Sequence, residues 1–331
     1  MITDTKVDGQ FKQGQPDIFP YVVANEQGIS TLEATVAWIQ ENLAELTSQL
    51  AQSGAILFRG FPVDSAQAFD QFSAAFGYPN FTYKESLSNA VRINFTPRVF
   101  TANEAPKDVE IYLHNEMAQT PIYPDKIFFF CLAPAQFGGA SPICRSDMLF
   151  TGLEETMPEL AKAFEEKGVK YTTLMPGEDD PESGQGRSWK STLSVDTKEQ
   201  AQEKLARLDY TWQWLADGSL KATTGKLPAV RTLSCGRKSF FNQLIAAYMG
   251  WQGVREHHQD TLTFGDGSEI PKEGLEHIYQ LSEQYTFDVP WQANDVALVD
   301  NNLAMHGRRP YSGDLKRQVL VALGAAKSNQ A

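Results

Sequence analysis

Two histidines and one glutamate, far apart along the chain, set the strongest constraint on its fold. His114 and Glu116 follow a strand-like segment at 110–113, and His306 comes much later. Alternate residues of a strand point to the same side, so His114 and Glu116 can contact one metal ion while Asn115 points away. Two imidazoles and one carboxylate with open coordination positions form the ligand set that holds non-haem Fe(II). The sequence therefore predicts a fold that brings two distant strands together around one iron ion.

The segment around His306 has the pattern of a strand, a turn and a second strand. His306 follows an apolar run at 295–300 and precedes turn-forming residues at 310–314. The run at 316–323 is again strand-like and begins with Arg317 at its second position. We predict that this last strand runs back beside the His306 strand as the second arm of a hairpin.

Arg317 indicates a carboxylate co-substrate. A guanidinium offers a planar fork of donors that matches a carboxylate, and it keeps its charge at physiological pH. The co-substrate 2-oxoglutarate fits this arrangement, because its keto-acid end can chelate iron while its distal carboxylate reaches the arginine. Ser141, in the glycine-rich segment 138–142, is our candidate for a hydroxyl that completes the anion site.

Five stretches of the chain together resemble one known family, the taurine dioxygenase and clavaminate synthase-like oxygenases that depend on iron and 2-oxoglutarate. Within this family, the chain resembles clavaminate synthase-like proteins of plants. It covers most of the chain from about residue 55 onward. The stretches lie at 101–106, 114–119, 138–142, 289–295 and 300–317.

The resemblance implies a site and a reaction. It makes His114, Glu116 and His306 the catalytic iron ligands, and it places Ser141 and Arg317 on the distal carboxylate of 2-oxoglutarate. The family usually has threonine in place of Ser141, and many members have aspartate in place of Glu116; both replacements keep the required group. Because chlorinating relatives lack the carboxylate ligand, Glu116 implies an enzyme that uses O2 to hydroxylate or desaturate its substrate, with release of succinate and CO2.

We predict one catalytic domain over residues 1–331, mainly β with flanking helices. The expected architecture is a double-stranded β-helix, that is, a jelly-roll or cupin-like barrel, whose mouth can hold one ligand. Residues 1–54 are expected to form a helical support, with one helix over 32–50 opened by a capping box at 30–33. Residues 147–230 are expected to form a helical insertion over the substrate, with helices at 160–166 and 197–208 and a mobile loop at 177–186.

Composition excludes several classes of protein. The chain has 29 basic and 41 acidic residues, a net charge of −12, which argues against binding to nucleic acid or anionic membranes. The N-terminus lacks the pattern of a signal peptide and no run of about 20 apolar residues appears, so we expect a cytoplasmic protein. Three cysteines argue against a disulfide framework, and we expect Cys131 and Cys144 to be buried in strands. The oligomeric state is open.

The substrate is the least constrained part of the interpretation. We expect a small molecule, and family analogy favours one derived from an amino acid. Five residues are candidates for contact with the substrate: Asn103, Glu104, Phe241, Asn242 and Arg309. Each has an alternative role, in a turn, in the core or in an ion pair at the rim of the site. Two other functions use similar ligands. One is a non-catalytic cupin-like protein that binds a metal or small anion, and the other is hydrolysis at a zinc site.

Overall fold

The computed structural model describes residues 5–12, 18–82, 86–88, 92–102, 105–179, 187–251 and 253–325. Two of the expected substrate contacts, Asn103 and Glu104, lie outside these residues, as does most of the loop predicted at 177–186.

The strands, in chain order, are β1 (Phe11–Lys12), β2 (Ile18–Phe19), β3 (Tyr21–Ala24), β4 (Ala55–Arg59), β5 (Val99–Thr101), β6 (Ile111–His114), β7 (Lys126–Ala133), β8 (Phe137–Gly138), β9 (Ser141–Arg145), β10 (Val169–Met175), β11 (Thr211–Trp214), β12 (Leu220–Thr223), β13 (Val230–Thr232), β14 (Lys238–Phe240), β15 (Leu262–Phe264), β16 (Thr286–Val289), β17 (Val296–Asp300), β18 (Ala304–Arg308), β19 (Tyr311–Ser312) and β20 (Gln318–Gly324).

The helices are α1 (Leu32–Glu41), α2 (Leu43–Ser53), α3 (Ala66–Ala74), α4 (Ser146–Thr156), α5 (Pro158–Lys167), α6 (Trp189–Leu193), α7 (Lys198–Arg207), α8 (Leu244–Gly250) and α9 (Lys272–Ser282). Short 3-10 helices lie at His258–Asp260 and Glu283–Tyr285. No helix in the described part of the chain is both long enough and apolar enough to span a bilayer.

A six-stranded sheet in the order β3-β4-β17-β7-β20-β5 forms one half of the core. Its central strand β7 is apolar along most of its length, as expected for a strand covered on both faces. Phe128 and Phe130 pack with residues of α1 to α3, while Phe129 and Cys131 point to the opposite face. The sheet is therefore a middle layer between helices and a second sheet.

The second sheet has four strands in the order β16-β9-β18-β6. Ile143 of β9, Val289 of β16 and Ala304 of β18 share a buried cluster with Phe129 and Cys131 of the first sheet. Among the described residues the two sheets share no strand, so the core consists of two sheets packed face to face. The structure is a mixed fold of sheets and helices.

The predicted hairpin between the His306 strand and the last strand is wrong. β18, which carries His306, lies in the four-stranded sheet, whereas β20 pairs with β7 and β5 in the six-stranded sheet. Between them the chain crosses from one sheet to the other, and the short strand β19 pairs with β8 on the way. β18 and β20 therefore each pair with two other strands, whereas a simple hairpin would give each of them one partner. Arg317 lies immediately before β20.

The N-terminal support contains two helices where one was predicted. The Asn42 side chain donates a hydrogen bond of 2.8 Å to the carbonyl of Trp38, at the point where α1 ends and α2 begins. Asparagine competes in this way with the helical backbone. The cap of α1 is Thr31, whose hydroxyl accepts from the backbone N–H of Ala34, and not Ser30. Gly54 ends α2 in a left-handed conformation, φ 82°.

The insertion is only partly helical. α5 and α7 confirm the two predicted helices, but the same region also contains β10, β11 and β12, which join β15 in a sheet of order β11-β12-β10-β15. Buried Val169, Tyr171 and Met175 alternate along β10 with less buried residues, the pattern of a strand covered on one face. Its partner β15 lies beyond residue 230, so the sheet extends outside the predicted insertion.

Candidate active site

His114 and His306 meet across the second sheet. They are directly paired residues of the neighbouring antiparallel strands β6 and β18, and their ring centroids are 4.4 Å apart. Glu116 is not on the strand, because β6 ends at His114; a turn in which Met117 has φ 58° follows and returns its carboxylate to the histidines. Its Oε2 is 3.2 Å from His306 Nε2 and 3.9 Å from His114 Nε2. One ligand atom from each residue lies within 4.8 Å of the others.

The ring of His114 is oriented as a metal ligand. Its Nδ1 lies 2.8 Å from the carbonyl oxygen of Tyr112. A carbonyl can only accept, so Nδ1 carries the proton and the lone pair is on Nε2, which faces Glu116. Burial, with a smaller contribution from His306, lowers the pKa of His114 to about 4. The imidazole is therefore neutral near pH 7, the state that binds metals.

Glu116 is ionised in the same pocket. Burial alone would raise its pKa, but the hydrogen bond from His306 and the electrostatic interactions with His306, His114 and Arg92 outweigh burial and lower the pKa to about 2. Two imidazole nitrogen donors beside one anionic oxygen donor fit a divalent first-row metal.

The backbone of Glu116 is held by Asn301, in the turn between β17 and β18. Asn301 Oδ1 accepts from the Glu116 N–H at 2.7 Å, and its Nδ2 donates to the Glu116 carbonyl at 3.0 Å. Asn115 points away from the metal ligands, as predicted, and its Nδ2 donates to the Asn301 carbonyl at 2.7 Å. Asn301 is a supporting residue that sequence reasoning missed; three consecutive polar residues at 300–302 after a strand were its only signal.

Arg317 and Ser141 lie together beside the metal ligands. Arg317 Nη2 donates to Ser141 Oγ at 3.3 Å, and its Nε donates to the Gly139 carbonyl at 2.8 Å. Gly139 has a φ of 72°, and a Cβ there would be 2.9 Å from Ala135 Cβ and 3.0 Å from Arg317 Cδ, so a larger residue would be strained and would displace its neighbours. Both side chains line a small cavity together with His114, Glu116 and His306. The structure therefore brings together all five residues that the sequence assigned to iron and 2-oxoglutarate.

Arg317 is a half-buried cation. Burial and the neighbouring charge of Arg308 lower its pKa to about 10, which still leaves the guanidinium charged at neutral pH. In the described part of the chain, its guanidinium has no carboxylate within ion-pair distance. A charge that is partly removed from water and has no counter-ion is costly. The small cavity is consequently suited to an anion.

Comparison with known proteins identifies the family. The sequence profile described as the taurine catabolism dioxygenase TauD, TfdA family matches residues 17–323. The chain belongs to the TauD/TfdA family. A clavaminate synthase-like protein of Arabidopsis thaliana is 39% identical over 279 residues, which cover 84% of this chain and 83% of that protein. Dapdiamide synthesis protein DdaC of Enterobacter agglomerans is 29% identical over 290 residues, 83% of each chain.

Solved structures show the same fold. A candidate alpha-ketoglutarate-dependent taurine dioxygenase of Burkholderia xenovorans superposes with a TM-score of 0.55 at 14% identity, over 98% of this chain and 93% of that one. The PvcB protein of Pseudomonas aeruginosa gives a TM-score of 0.52 at 13% identity, over 94% and 86% of the two chains.

Membership in the TauD/TfdA family establishes the enzyme class. Its members depend on Fe(II), 2-oxoglutarate and O2, and the His-Glu-His cluster of this chain matches that chemistry. The protein is a non-haem iron, 2-oxoglutarate-dependent oxygenase. Of the functions considered from the sequence, this confirms the oxygenase.

A second, larger cavity of about 820 Å³ reaches the same metal ligands. His114, Glu116 and Gln119 line one part of this cavity. Thr172 of β10 and Lys221 of β12, both in the insertion, line another part. The carbonyl oxygen of the Gln119 side chain is buried and accepts no hydrogen bond from the described residues. This TauD/TfdA member therefore has, beside the His-Glu-His cluster, a second cavity that is considerably larger than the first.

Three of the expected substrate contacts lie elsewhere. Phe241 is buried against Tyr123, and Asn242 is fully buried, with its backbone N–H donating to Asn115 Oδ1 at 3.0 Å. Arg309 forms ion pairs of 2.7 to 3.0 Å with three carboxylates, those of Glu110, Glu283 and Asp288. None of the three lines either cavity.

Arg92 lines both cavities and was not anticipated. Its positive charge helps to lower the pKa of both His114 and Glu116, so it lies within electrostatic reach of the metal ligands. Nothing in the surrounding sequence distinguishes this arginine from a surface residue. Its position could be learned only from the fold.

Proposed function

We propose that this protein hydroxylates, or desaturates, a small polar molecule bound in the larger cavity, with conversion of 2-oxoglutarate to succinate and CO2. The observation that carries the proposal is the convergence of His114, Glu116 and His306 in one cavity that also contains the half-buried cation Arg317. Metal chemistry without a keto acid has no use for a second, cationic anchor.

The metal would be held by Nε2 of His114, Nε2 of His306 and one carboxylate oxygen of Glu116. When bound, iron and 2-oxoglutarate would supply the oxidation, in which the co-substrate loses CO2 while a C–H bond of the substrate is oxidised by O2. The chain itself positions the reactants: Tyr112 fixes the His114 tautomer, and Asn301 fixes the backbone of Glu116.

The distal carboxylate of 2-oxoglutarate would pair with Arg317 and Ser141. This would supply the counter-ion that the half-buried guanidinium lacks, so the co-substrate should bind in one orientation, with its keto-acid end toward the metal ligands.

The larger cavity supports a substrate derived from an amino acid. Arg92 offers a cation beside the metal ligands, which suits a carboxylate. Gln119 Oε1 offers a buried acceptor, which suits an amine or amide N–H. A molecule that carries both groups would hold one C–H bond near the iron.

Three further assignments belong to this proposal. The two packed sheets would form a double-stranded β-helix, residues 1–331 would act as one catalytic domain with the region at 147–230 as its lid, and the protein would work in the cytoplasm. The face-to-face packing of the sheets and the insertion strands that line the larger cavity support the first two.

The test begins without oxygen. Fe(II) and 2-oxoglutarate added to the protein should produce a weak visible charge-transfer band, and admission of oxygen should yield succinate. His306→Ala should lose both signals, whereas His257→Ala, a change at an exposed histidine, should retain them. Succinate formation across a panel of amino acid derivatives, each with and without its carboxylate, then identifies the substrate class. A protein that forms neither the band nor succinate would contradict the proposal.

A further inference from the structure

Trp291 makes a direct hydrogen bond to the proposed co-substrate site. Its indole Nε1–H donates to Ser141 Oγ at 3.0 Å. The sheet register explains the contact: Ser141 pairs with Val289 at the end of β16, and Trp291 follows two residues later. The indole is half-buried against the core between the two sheets.

The hydrogen bonds at Ser141 fix the direction of its proton. A serine hydroxyl has one proton and two acceptor lone pairs. Trp291 and Arg317, neither of which can accept, both donate to this oxygen, at 3.0 Å and 3.3 Å. Both lone pairs are therefore used, and in the described part of the chain no protein acceptor takes the hydroxyl proton. Since Ser141 lines the small cavity, the proton is left for an acceptor inside it.

The loop that carries Trp291 is rigidly held. Arg59 forms a two-pronged ion pair with Asp295, at 2.7 Å and 3.0 Å, and also donates to the Pro290 carbonyl at 2.9 Å. Asp295 in turn accepts from the backbone N–H of Gln292 at 2.9 Å. The backbone on both sides of Trp291 is thus fixed, so the indole is preorganised to meet Ser141.

We infer that Trp291 is a positioning residue that makes Ser141 a dedicated hydrogen-bond donor to the distal carboxylate of 2-oxoglutarate. Without the indole N–H, Ser141 Oγ regains a lone pair and its hydroxyl can rotate away from the anion. This inference rests on the proposed function, because it assumes that the small cavity binds 2-oxoglutarate.

The experiment measures binding and requires no turnover. Calorimetry on the Zn(II)-loaded protein compares 2-oxoglutarate with 2-oxopentanoate, a keto acid of the same chain length without the distal carboxylate. Trp291→Phe should weaken 2-oxoglutarate binding about fivefold, the scale of one hydrogen bond, and should leave 2-oxopentanoate binding unchanged. Ser141→Ala should weaken 2-oxoglutarate binding as well, and Trp291→Phe added to it should have no further effect. In a Ser141→Thr background, which keeps the hydroxyl, the effect of Trp291→Phe should return.

Different outcomes overturn different claims. If the unaltered protein binds 2-oxoglutarate but Trp291→Phe weakens both keto acids equally, or neither, Trp291 acts only in packing and the inference fails. If the unaltered protein does not bind 2-oxoglutarate, the proposed function fails with it. If Trp291→Phe does not fold, a second measurement tests the inference. In Ser141→Ala, where Trp291 is intact, one indole N–H resonance should move in the 15N–1H spectrum. An unchanged set of indole signals would also overturn the inference.

Discussion

His114 and His306 are directly opposed residues on adjacent antiparallel strands, so the spacing of two metal ligands is set by strand pairing. The pairing becomes irregular one residue later, between His306 and Arg308. Gly307 lies at this point, where a Cβ would be 2.4 Å from the carbonyl oxygen of Ile111. Strand β18 can approach β6 this closely only because residue 307 has no side chain.

Gly307→Ala should therefore separate the two histidines. The added methyl group must push β18 away from β6, and we expect metal affinity to fall by roughly tenfold or more, as when the support of a metal ligand is disturbed. Titration with Co(II), followed by its visible absorption, measures the affinity. An unaltered affinity in a folded variant would show that the strand spacing does not control the site.

Asn301→Ala should weaken metal binding without removing a ligand. The change deletes both hydrogen bonds that fix the Glu116 backbone, and we expect a loss of about 10- to 100-fold in metal affinity. Asn302→Ala is the matched control, because its side chain contacts Asp125 and Arg231 and not Glu116. Equal losses in the two variants would mean that the turn as a whole matters, and not the contact to Glu116.

The Zn(II)-loaded protein should be stabilised by 2-oxoglutarate through Arg317. At a concentration of about 100 times its Kd, a ligand that binds only the folded state contributes about 2.7 kcal/mol, which for a chain of this size raises Tm by about 4 °C. Arg317→Met should lose most of this shift at the same concentration. Arg309→Met, which alters an arginine outside both cavities, should retain it; the reverse pattern would place the anion site elsewhere.

Arg309 should be important for stability and not for binding. It contacts three carboxylates on separate segments, two of them within 2.8 Å. The group is partly exposed, so we expect Arg309→Ala to lower the free energy of unfolding in urea by only about 1 kcal/mol. Lys162→Ala removes an exposed ion pair of 4.0 Å with Glu166 and should lower the free energy of unfolding by only a few tenths of a kcal/mol. A raised KM for 2-oxoglutarate in Arg309→Ala would contradict this division of roles.

Only Cys235 should react readily with iodoacetamide in the folded protein. Burial raises the pKa of Cys131 and Cys144 to about 12, and both lie in strands, as predicted. A hydrogen bond from Arg237 lowers the pKa of exposed Cys235, which increases its thiolate fraction near neutral pH. Arg237→Met should raise that pKa, so the alkylation rate at pH 7.5 should fall while the rate at high pH is retained. Mass spectrometry counts one modified thiol in the native state and three after denaturation.

The residues of the site were predictable because their chemistry is unusual. A strand ending in His-x-Glu, a distant histidine and a following arginine narrowed the choice to His114, Glu116, His306 and Arg317, and a glycine-rich segment supplied Ser141. The types of these residues and their order along the chain are enough to indicate a metal site with a neighbouring anion site. How Glu116 reaches the metal was not predictable, because β6 ends at His114 and a turn takes the place of the expected strand position.

The strand partners and the supporting residues were not predictable from the sequence, because they depend on contacts between distant segments. The partner of β20 is β7 and not β18, and the partner of β10 is β15; neither choice follows from local propensity, because each is decided by which faces must be buried. The roles of Asn301 and Trp291 are hidden for the same reason. Asn301 is an ordinary residue of a turn and Trp291 an ordinary residue of a loop, and only the fold places them against Glu116 and Ser141.

The larger cavity is lined from different parts of the chain, by the sheet that carries the proposed iron ligands and by strands β10 and β12 of the insertion. Substitutions on the insertion side can therefore change which molecule enters without touching the groups that react. In the course of evolution, such a division would let a lineage acquire new substrates through substitutions in the insertion strands, while the residues of the oxidising centre stay the same.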